Sequence, residues 1–147
     1  MKKRFVKLQK LFKNGTLHGK HIEADRDSDA IIAQVLGWSD LTCDLDREWV
    51  CDIPVKEYEC LGRCVVPKFT TSGDGLKLLN HLKTKKIFKE DDRIEITYHD
   101  SVYNGVLIIS HTVMKKGVLP PSERYIEYAP TLPLLFCKLF IDVMVTK

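Results

Sequence analysis

The segment over residues 131–145 constrains the fold most, because the helix that its spacing predicts is apolar on nearly every side. A membrane span needs ~20 apolar residues, and this segment is shorter and carries Lys138 and Asp142. We therefore expect a helix that is buried in the core or at an interface, where it could support a homodimer. Its apolar face consists of Leu132, Leu135, Phe136, Leu139 and Val143, widened by Leu134, Ile141 and Val145.

One domain accounts for the whole chain on grounds of length and composition. A chain of 147 residues with 44% hydrophobic side chains can bury one continuous core. Neither a linker nor an internal repeat divides the sequence. We expect a single α+β domain over residues 24–147, preceded by a basic extension over residues 1–23.

The predicted architecture is α/β/α sandwich-like, with a mainly antiparallel sheet flanked by three helices. The clearest helix spans 27–37, where Asp27 or Ser28 can cap the first turn and Gly37 can end the helix in the left-handed conformation. The other helices are predicted over 72–85 and 131–145. Strands are predicted at 48–53, 63–66, 93–114 and 125–128, and the turn within 93–114 lies either at 99–101 or at 104–105.

Residues 1–23 have two interpretations. The apolar residues between Phe5 and Phe12 recur at helical spacing among lysines, which favours a basic amphipathic helix. Asn14-Gly15 follows, and this dipeptide is a strong hairpin signal because both positions tolerate a positive φ. The hairpin, with strands over 4–13 and 16–22, is the preferred prediction.

The first thirteen positions hold six basic residues and no acidic one, whereas the whole chain has 23 basic and 20 acidic residues. A net charge of +3 is too small to imply a nucleic-acid partner by itself. Lysine and arginine still bind acidic surfaces or phosphates, and an interleaved aromatic ring can stack on a base. The alternative is a solvated edge that lysines protect. Partner binding is assigned to Lys3, Arg4, Phe5, Lys7, Lys10 and Phe12.

Three segments, in this order and spacing, resemble the phage ABA-sandwich domain, a small α/β/α family encoded by bacteriophages and prophages. They are residues 30–38 (AIIAQVLGW), 66–72 (VPKFTTS) and 129–138 (APTLPLLFCK). The resemblance covers roughly residues 27–147. One departure is residues 72–75 (SGDG), where the family usually has a plain helical first turn.

The resemblance implies a phage origin, an accessory role during infection and no enzymatic activity. We therefore expect a non-enzymatic protein that binds a host macromolecule, with inhibition of a host defence component as one form of that role. A host protein is the expected partner, and nucleic acid at the basic N-terminus is the alternative. No apolar signal segment follows the charged start, so the expected location is the host bacterial cytoplasm, without membrane contact.

A second hypothesis is a small-anion or nucleotide site where residues 70–73 open a helix. Free N–H groups and the helix dipole attract anions at such a terminus, although an ordinary helix cap has the same residues. The P-loop pattern is missing. The assigned ligand residues are Thr70, Thr71, Ser72 and Gly73, with Lys68 and Lys77 supplying charge.

The cysteines give a third hypothesis, a zinc-stabilised fold. Cys43, Cys51, Cys60 and Cys64 are separated by seven, eight and three residues, whereas structural zinc sites usually use two-residue spacing. Buried hydrophobic cysteines are the alternative, and it is preferred. With five cysteines and a reducing setting, a disulfide framework is not expected, so neither a metal nor any other cofactor is assigned.

Overall fold

The computed structural model describes residues 2–43, 48–85, 87, 92–110 and 122–145. Within these residues the chain forms four α-helices and two antiparallel sheets of three strands each. The α+β class is confirmed, but two sheets and four helices take the place of one sheet and three helices. The helices are α1 (Lys2–Lys13), α2 (Arg26–Val35), α3 (Leu78–Thr84) and α4 (Leu132–Val145). The strands are β1 (Ser39–Cys43), β2 (Trp49–Ile53), β3 (Gly62–Val65), β4 (Arg93–His99), β5 (Val102–Ser110) and β6 (Ser122–Ala129).

The N-terminal segment is helical, so the preferred hairpin prediction is wrong and the amphipathic helix is correct. α1 ends where Gly15 takes a φ of +71° and donates its N–H to the Phe12 carbonyl. The Thr16 N–H reaches back to the Leu11 carbonyl at 2.8 Å, which completes a Schellman motif. A glycine with positive φ serves a helix end as well as a hairpin turn, and this ambiguity caused the error.

α1 belongs to the same hydrophobic core as the rest of the chain. Phe5, Leu8, Leu17 and Ile22 are all buried in one cluster with α2 and α4. Residues 2–22 are therefore not a detachable extension of that core, although they carry most of the uncompensated basic charge. Removing them would expose apolar surface on the elements that remain.

α2 follows its predicted limits closely, with a different cap. Asp25 is the N-cap, and its carboxylate accepts the Ser28 N–H at 2.7 Å, so neither Asp27 nor Ser28 caps the helix. The stop at Gly37 is confirmed by a φ of +83°. Trp38 is buried against Phe69, in line with its predicted place in the core.

The helix predicted over 72–85 is divided in two. Its first part is a 3-10 turn over Gly73–Lys77, and α3 follows over Leu78–Thr84. The first sheet has the order β1-β2-β3, and its two predicted strands are confirmed to within a residue at each end. Two further 3-10 turns lie at Gly19–His21 and Lys56–Tyr58.

The second sheet has the order β4-β5-β6. The β4–β5 turn lies at Asp100-Ser101, where both residues have positive φ, so the alternative at 104–105 is excluded. Gly105 instead lies inside β5, where a Cβ would come within 2.9 Å of Leu135 on α4. Residues 111–114 of the predicted strand lie outside the described residues.

α4 lies at the centre of the core, as its apolar composition predicts. Leu135, Leu139, Phe140 and Val143 are each at most 1% exposed. The helix packs against β5 and β6, against α2 and α3, and against the turn at Gly19. The chain itself thus covers the apolar surface that suggested a homodimer through this helix. Among the described residues, no helix is long and apolar enough to cross a bilayer.

Candidate functional site

The six residues assigned to partner binding divide between the two sides of α1. Lys3, Lys7 and Lys10 are exposed and occur at spacings of four and three residues, which places them on one side of the helix. The other three residues point inward. This division follows from the helical period, which a hairpin would not have produced.

Arg4 ties α1 to the start of α2. Its guanidinium donates to the Asp25 carboxylate at 2.6 Å and to the Ser28 hydroxyl at 2.9 Å. A third bond reaches the His21 carbonyl at 2.9 Å. With these partners in place, Arg4 holds the fold together and is not available to another molecule.

Phe5 and Phe12 contribute to packing in the same way. Phe5 is 8% exposed, and its ring centroid lies 4.4 Å from that of Trp49. Trp49 is fixed by its indole N–H, which donates to Asp27 at 3.1 Å. Phe12 is half-buried against the core. Phe5 therefore has no free face on which a base could stack, and Phe12 is only partly accessible.

The exposed side of α1 carries lysines together with one apolar residue, Val6, which is 46% exposed. We call Lys3, Lys7, Lys10 and Lys13 the lysine face. None of the four forms an ion pair within the described part of the chain, and α1 has no acidic residue. Lys10 and Lys13 lie in the last turn, where the helix dipole favours positive charge.

The basic character extends from α1 to the turn at Gly19–His21. Burial lowers the pKa of His21, and the charges of Lys20, His18 and Lys7 lower it further. The contribution of Lys7 to this shift places its charge near the turn. Lys20 and Lys7 thus both lie close enough to His21 to influence its pKa, which brings Lys20 near one residue of the lysine face.

The hydrogen-bond donors of the predicted anion site already bind other groups of the protein. Thr70 is fully buried, and both its N–H and its hydroxyl donate to Asp29 Oδ1 at 2.8 Å. Burial raises the pKa of Asp29, whereas the bonds from Thr70 and Arg26 lower it. The donors that were predicted to bind a ligand anion already bind a carboxylate, and the negative charge of that carboxylate repels a second anion.

The remaining residues of that site have partners or lie in solvent. The Ser72 hydroxyl donates to the Lys68 carbonyl at 2.8 Å and caps the Asp74 N–H. Lys77 contacts Asp74 at 3.1 Å and the Glu57 carbonyl at 2.9 Å. Thr71, Gly73 and the Lys68 side chain are exposed. An anion site here stays a prediction, and these contacts weigh against it.

Two of the four clustered cysteines form a disulfide, Cys60–Cys64, which corrects the expectation of free thiols. Cys51 lies opposite Cys64 in the β2–β3 register, and burial raises its pKa to about 11. Burial also raises the pKa of Cys137, whose thiol donates to the Phe69 carbonyl. Among the described residues, no group of three or more side chains could hold a metal ion.

Sequence reasoning missed a carboxyl pair between β6 and α4, in which Asp142 is buried and Glu127 is half-buried. Glu127 and Asp142 share a side-chain hydrogen bond, and Asp142 also accepts the Gly19 N–H at 2.6 Å. The pair forms the floor of an open groove of about 360 Å³. The groove is lined by His18, Lys20, Arg124, Tyr125, Ile126, Glu127 and Asp142.

The pair retains a proton near neutral pH. Burial raises the pKa of Glu127 to about 8, the hydrogen bond and charge of Asp142 add to the rise, and Lys138 opposes it. Asp142 is the sequence feature that could have revealed the pair, because a charged residue inside an apolar helix requires a buried partner. Nothing in the sequence identified Glu127 as that partner.

Comparisons of the chain with protein-family models, with curated proteins and with solved structures found no match. The likeness to the phage ABA-sandwich domain therefore rests on the three sequence segments alone.

Proposed function

We propose that this is a non-enzymatic phage accessory protein that binds an acidic host protein through the lysine face of α1. The observation that supports the proposal is a row of exposed lysines without ion partners in the described structure, on a helix whose opposite side is buried. The phage setting, and a role against a host defence component, derive from the family resemblance.

The fixed position of α1 supports a binding role. Arg4 and Phe5 hold the helix against α2 and Trp49, so the lysines are displayed on a rigid element. A rigid charged surface loses little backbone entropy on binding and accelerates encounter with an oppositely charged partner. The interaction should therefore weaken as salt is added.

An acidic protein fits the surface better than nucleic acid does. Of the two aromatic residues that were expected to stack on bases, Phe5 is buried and Phe12 is half-buried against the core, so the lysine face offers little aromatic surface for stacking. The net charge of the whole chain is only +3. A protein surface of carboxylates needs no stacking and matches separated point charges.

The test compares two triple charge reversals of equal size. Lys3→Glu, Lys7→Glu and Lys10→Glu change the lysine face, and the control carries Lys56→Glu, Lys68→Glu and Lys85→Glu at exposed sites elsewhere. Tagged wild-type protein is used to capture partners from bacterial lysate, and the captured protein is purified. We expect the first variant to bind it at least about tenfold more weakly than the control does.

Two results would overturn the proposal. One is equal binding of the captured protein by both triple variants. The other is the absence of any salt-sensitive protein partner, combined with tight binding of a duplex or single-stranded oligonucleotide that only the lysine-face variant loses. The second result would assign the surface to nucleic acid. Circular dichroism of each variant checks that its fold is retained.

A further inference from the structure

The Cys60–Cys64 disulfide differs from the other cysteines of the chain in its exposure. Cys51 and Cys137 are fully buried, and Cys43 is half-buried. Cys60 is exposed in the loop before β3, whereas Cys64 on β3 is only 8% exposed and belongs to the core. The disulfide therefore joins one cysteine at the surface to one that the protein shields.

A cleft of about 270 Å³ lies beside the exposed half of the disulfide. It is lined by Lys56, Glu59, Cys60 and Leu61. The positive charge of Lys56 favours the thiolate form of a thiol, which is the form that attacks a disulfide. Glu59 supplies the opposite charge, which suits the ammonium group of a zwitterionic thiol. The cleft thus offers space and complementary charge for a small thiol next to Cys60.

The loop that the disulfide closes is short and lies at the surface. Its cysteines are four residues apart, and residues 60–63 are all exposed. A disulfide over so short a loop removes little entropy from the unfolded chain, so it adds little stability. Exposed disulfides are the ones that thiols reduce readily, whereas buried structural ones resist reduction. The position of this disulfide is therefore typical of a labile bond.

Both flanks of the loop are held by contacts other than the disulfide. On the N-terminal side, the Tyr58 ring packs against Trp38 and Phe69 at centroid distances of 5.3 and 5.5 Å. On the other side, β3 pairs with β2 along its length, and Arg63 donates to the Thr42 hydroxyl at 2.6 Å. We therefore expect the fold to survive when the disulfide opens.

We propose that Cys60–Cys64 is a reversible redox site that takes a zwitterionic low-molecular-weight thiol in the cleft beside Cys60. The thiolate attacks the Cys60 sulfur, so a mixed disulfide forms at Cys60 and the bond to Cys64 breaks. Cys64 leaves as a thiolate and takes up the proton that the incoming thiol released. The inference does not rest on the lysine face, which lies on a different element.

A second thiol molecule completes the reduction. It attacks the sulfur of the first thiol in the mixed disulfide, so the two thiol molecules become joined and Cys60 leaves as a thiolate that takes up a proton. The two electrons gained by the protein come from the two thiol molecules. Oxidised thiol reverses both steps, since Cys64 then attacks the mixed disulfide at Cys60 and closes the bond again.

Cys51 lies close to this site but takes no part in the exchange. It is the direct cross-strand neighbour of Cys64 on β2. Burial raises the pKa of Cys51 to about 11, so at pH 7 it stays a neutral thiol, which is a poor nucleophile towards a disulfide. The exchange is therefore confined to Cys60 and Cys64.

The first experiment equilibrates the full chain with reduced and oxidised glutathione at varied ratios, at about pH 7.5. Acid-quenched samples are analysed by intact mass spectrometry after the free thiols are alkylated. The wild-type protein should pass from the disulfide to the dithiol form within the range that glutathione covers. Cys51→Ala is the control and should show the same transition.

Two single variants identify the attacked sulfur. In Cys64→Ser, oxidised glutathione should attach one glutathione per chain, and peptide mapping should place it on Cys60. In Cys60→Ser, the remaining Cys64 is buried, so we expect attachment to be at least about tenfold slower. Circular dichroism of each variant, and of the reduced wild-type protein, checks that the fold is retained.

The contribution of the cleft is tested by the rate at which glutathione reduces the wild-type disulfide. Lys56→Gln removes the positive charge beside Cys60, so we expect reduction to slow about threefold. Lys68→Gln is the control, because Lys68 is exposed and does not line the cleft. Equal rates for the two variants would show that the thiol does not enter through the cleft.

Three other outcomes would overturn the proposal. A wild-type disulfide that resists an excess of reduced glutathione would be a structural bond. Attachment to Cys64 as fast as to Cys60 would contradict the assignment of the attacked sulfur. Loss of the circular dichroism spectrum on reduction would show that the disulfide holds the fold together. Results on the lysine-face variants have no bearing on any of these outcomes.

Discussion

Asp29 and Asp142 are both buried acidic residues on helices, but their surroundings differ in nearly every respect. Asp29 lies in the first turn of α2, at the positive end of the helix dipole, and accepts a hydrogen bond from Arg26 at 2.7 Å. Asp142 lies near the end of α4, at the negative end of the dipole, and shares a hydrogen bond with Glu127. One carboxylate faces a cation and the other faces a second carboxyl group.

The difference shows what neighbours do to a buried acid. Burial is the largest cause of the raised pKa both at Asp29 and at Glu127. Thr70 and Arg26 oppose the rise at Asp29, whereas Asp142 increases it at Glu127. The first site anchors the loop after β3 to α2. The second site stores a proton at the floor of a groove, next to the basic turn at Gly19.

The largest effect is expected from removing the anchor. Asp29→Ala would leave the buried N–H of Thr70 without an acceptor and its hydroxyl with only the Asp25 carbonyl, at 3.4 Å. It would also remove one of two carboxylates from Arg26. We expect the free energy of unfolding to fall by about 3–5 kcal/mol. Urea denaturation followed by circular dichroism measures it.

Asp74→Ala is the matched control for that prediction. Asp74 also lies at the start of a helical turn and pairs with Lys77 at 3.1 Å, but its side chain is 30% exposed. Its loss should cost less than about 1 kcal/mol. If the two variants lost equal stability, burial and hydrogen bonding would not make Asp29 more important for stability than Asp74.

A smaller effect is expected at the proton-storing site from Gly19→Ala. The added Cβ would meet Glu127 Oε1 and the Lys138 carbonyl oxygen at 2.5 Å, and one of these is backbone. We expect a loss of about 2–3 kcal/mol in the free energy of unfolding, because the turn must move away from α4. Gly73→Ala is the control, since nothing lies within 4 Å of its Cβ.

Gly73→Ala should leave stability unchanged or slightly raised, because alanine restricts the unfolded chain. If Gly19→Ala were as stable as Gly73→Ala, the turn at Gly19 would be able to move away from α4 without a loss in the free energy of unfolding. The carboxyl pair would then not depend on close packing of three elements.

Local sequence signals predicted the elements that carry their own start, stop and period. The all-round apolar pattern gave α4, and Gly37 gave the end of α2. Asn14-Gly15 misled because a helix end and a hairpin both use a glycine with positive φ. Both sheets pair strands that are consecutive in sequence, and no local pattern showed that β3 and β4, which α3 separates, belong to different sheets.

The candidate sites were predictable to the extent that they lie on one element. The lysines were predicted as a binding group because they cluster in sequence, but their common side of α1 depends on the helix, which was not the preferred prediction. The carboxyl pair was not predicted, because Gly19, Glu127 and Asp142 come from three distant parts of the chain. The same reason hid the bond between Thr70 and Asp29, which fills the predicted anion site.

The smallest effect is the pH dependence that Glu127 gives to stability. Its pKa rises from the ordinary 4.5 to about 8 in the folded protein, so the folded state keeps a proton that the unfolded chain loses between those values. The free energy of unfolding must then fall as the pH rises through this interval and level off above about pH 8. Since Glu127 is only half-buried, solvent limits the fall to about 1–2 kcal/mol.

Glu127→Gln keeps a neutral hydrogen-bond donor for Asp142 without a titrating proton, so its stability should change less between pH 5 and pH 8. Urea denaturation at both pH values measures this against Glu59→Gln, which makes the same substitution at an exposed site outside the pair. Parallel pH profiles for the wild type and Glu127→Gln would show that the pair does not hold the proton, and the contrast with Asp29 would then rest on hydrogen bonding alone.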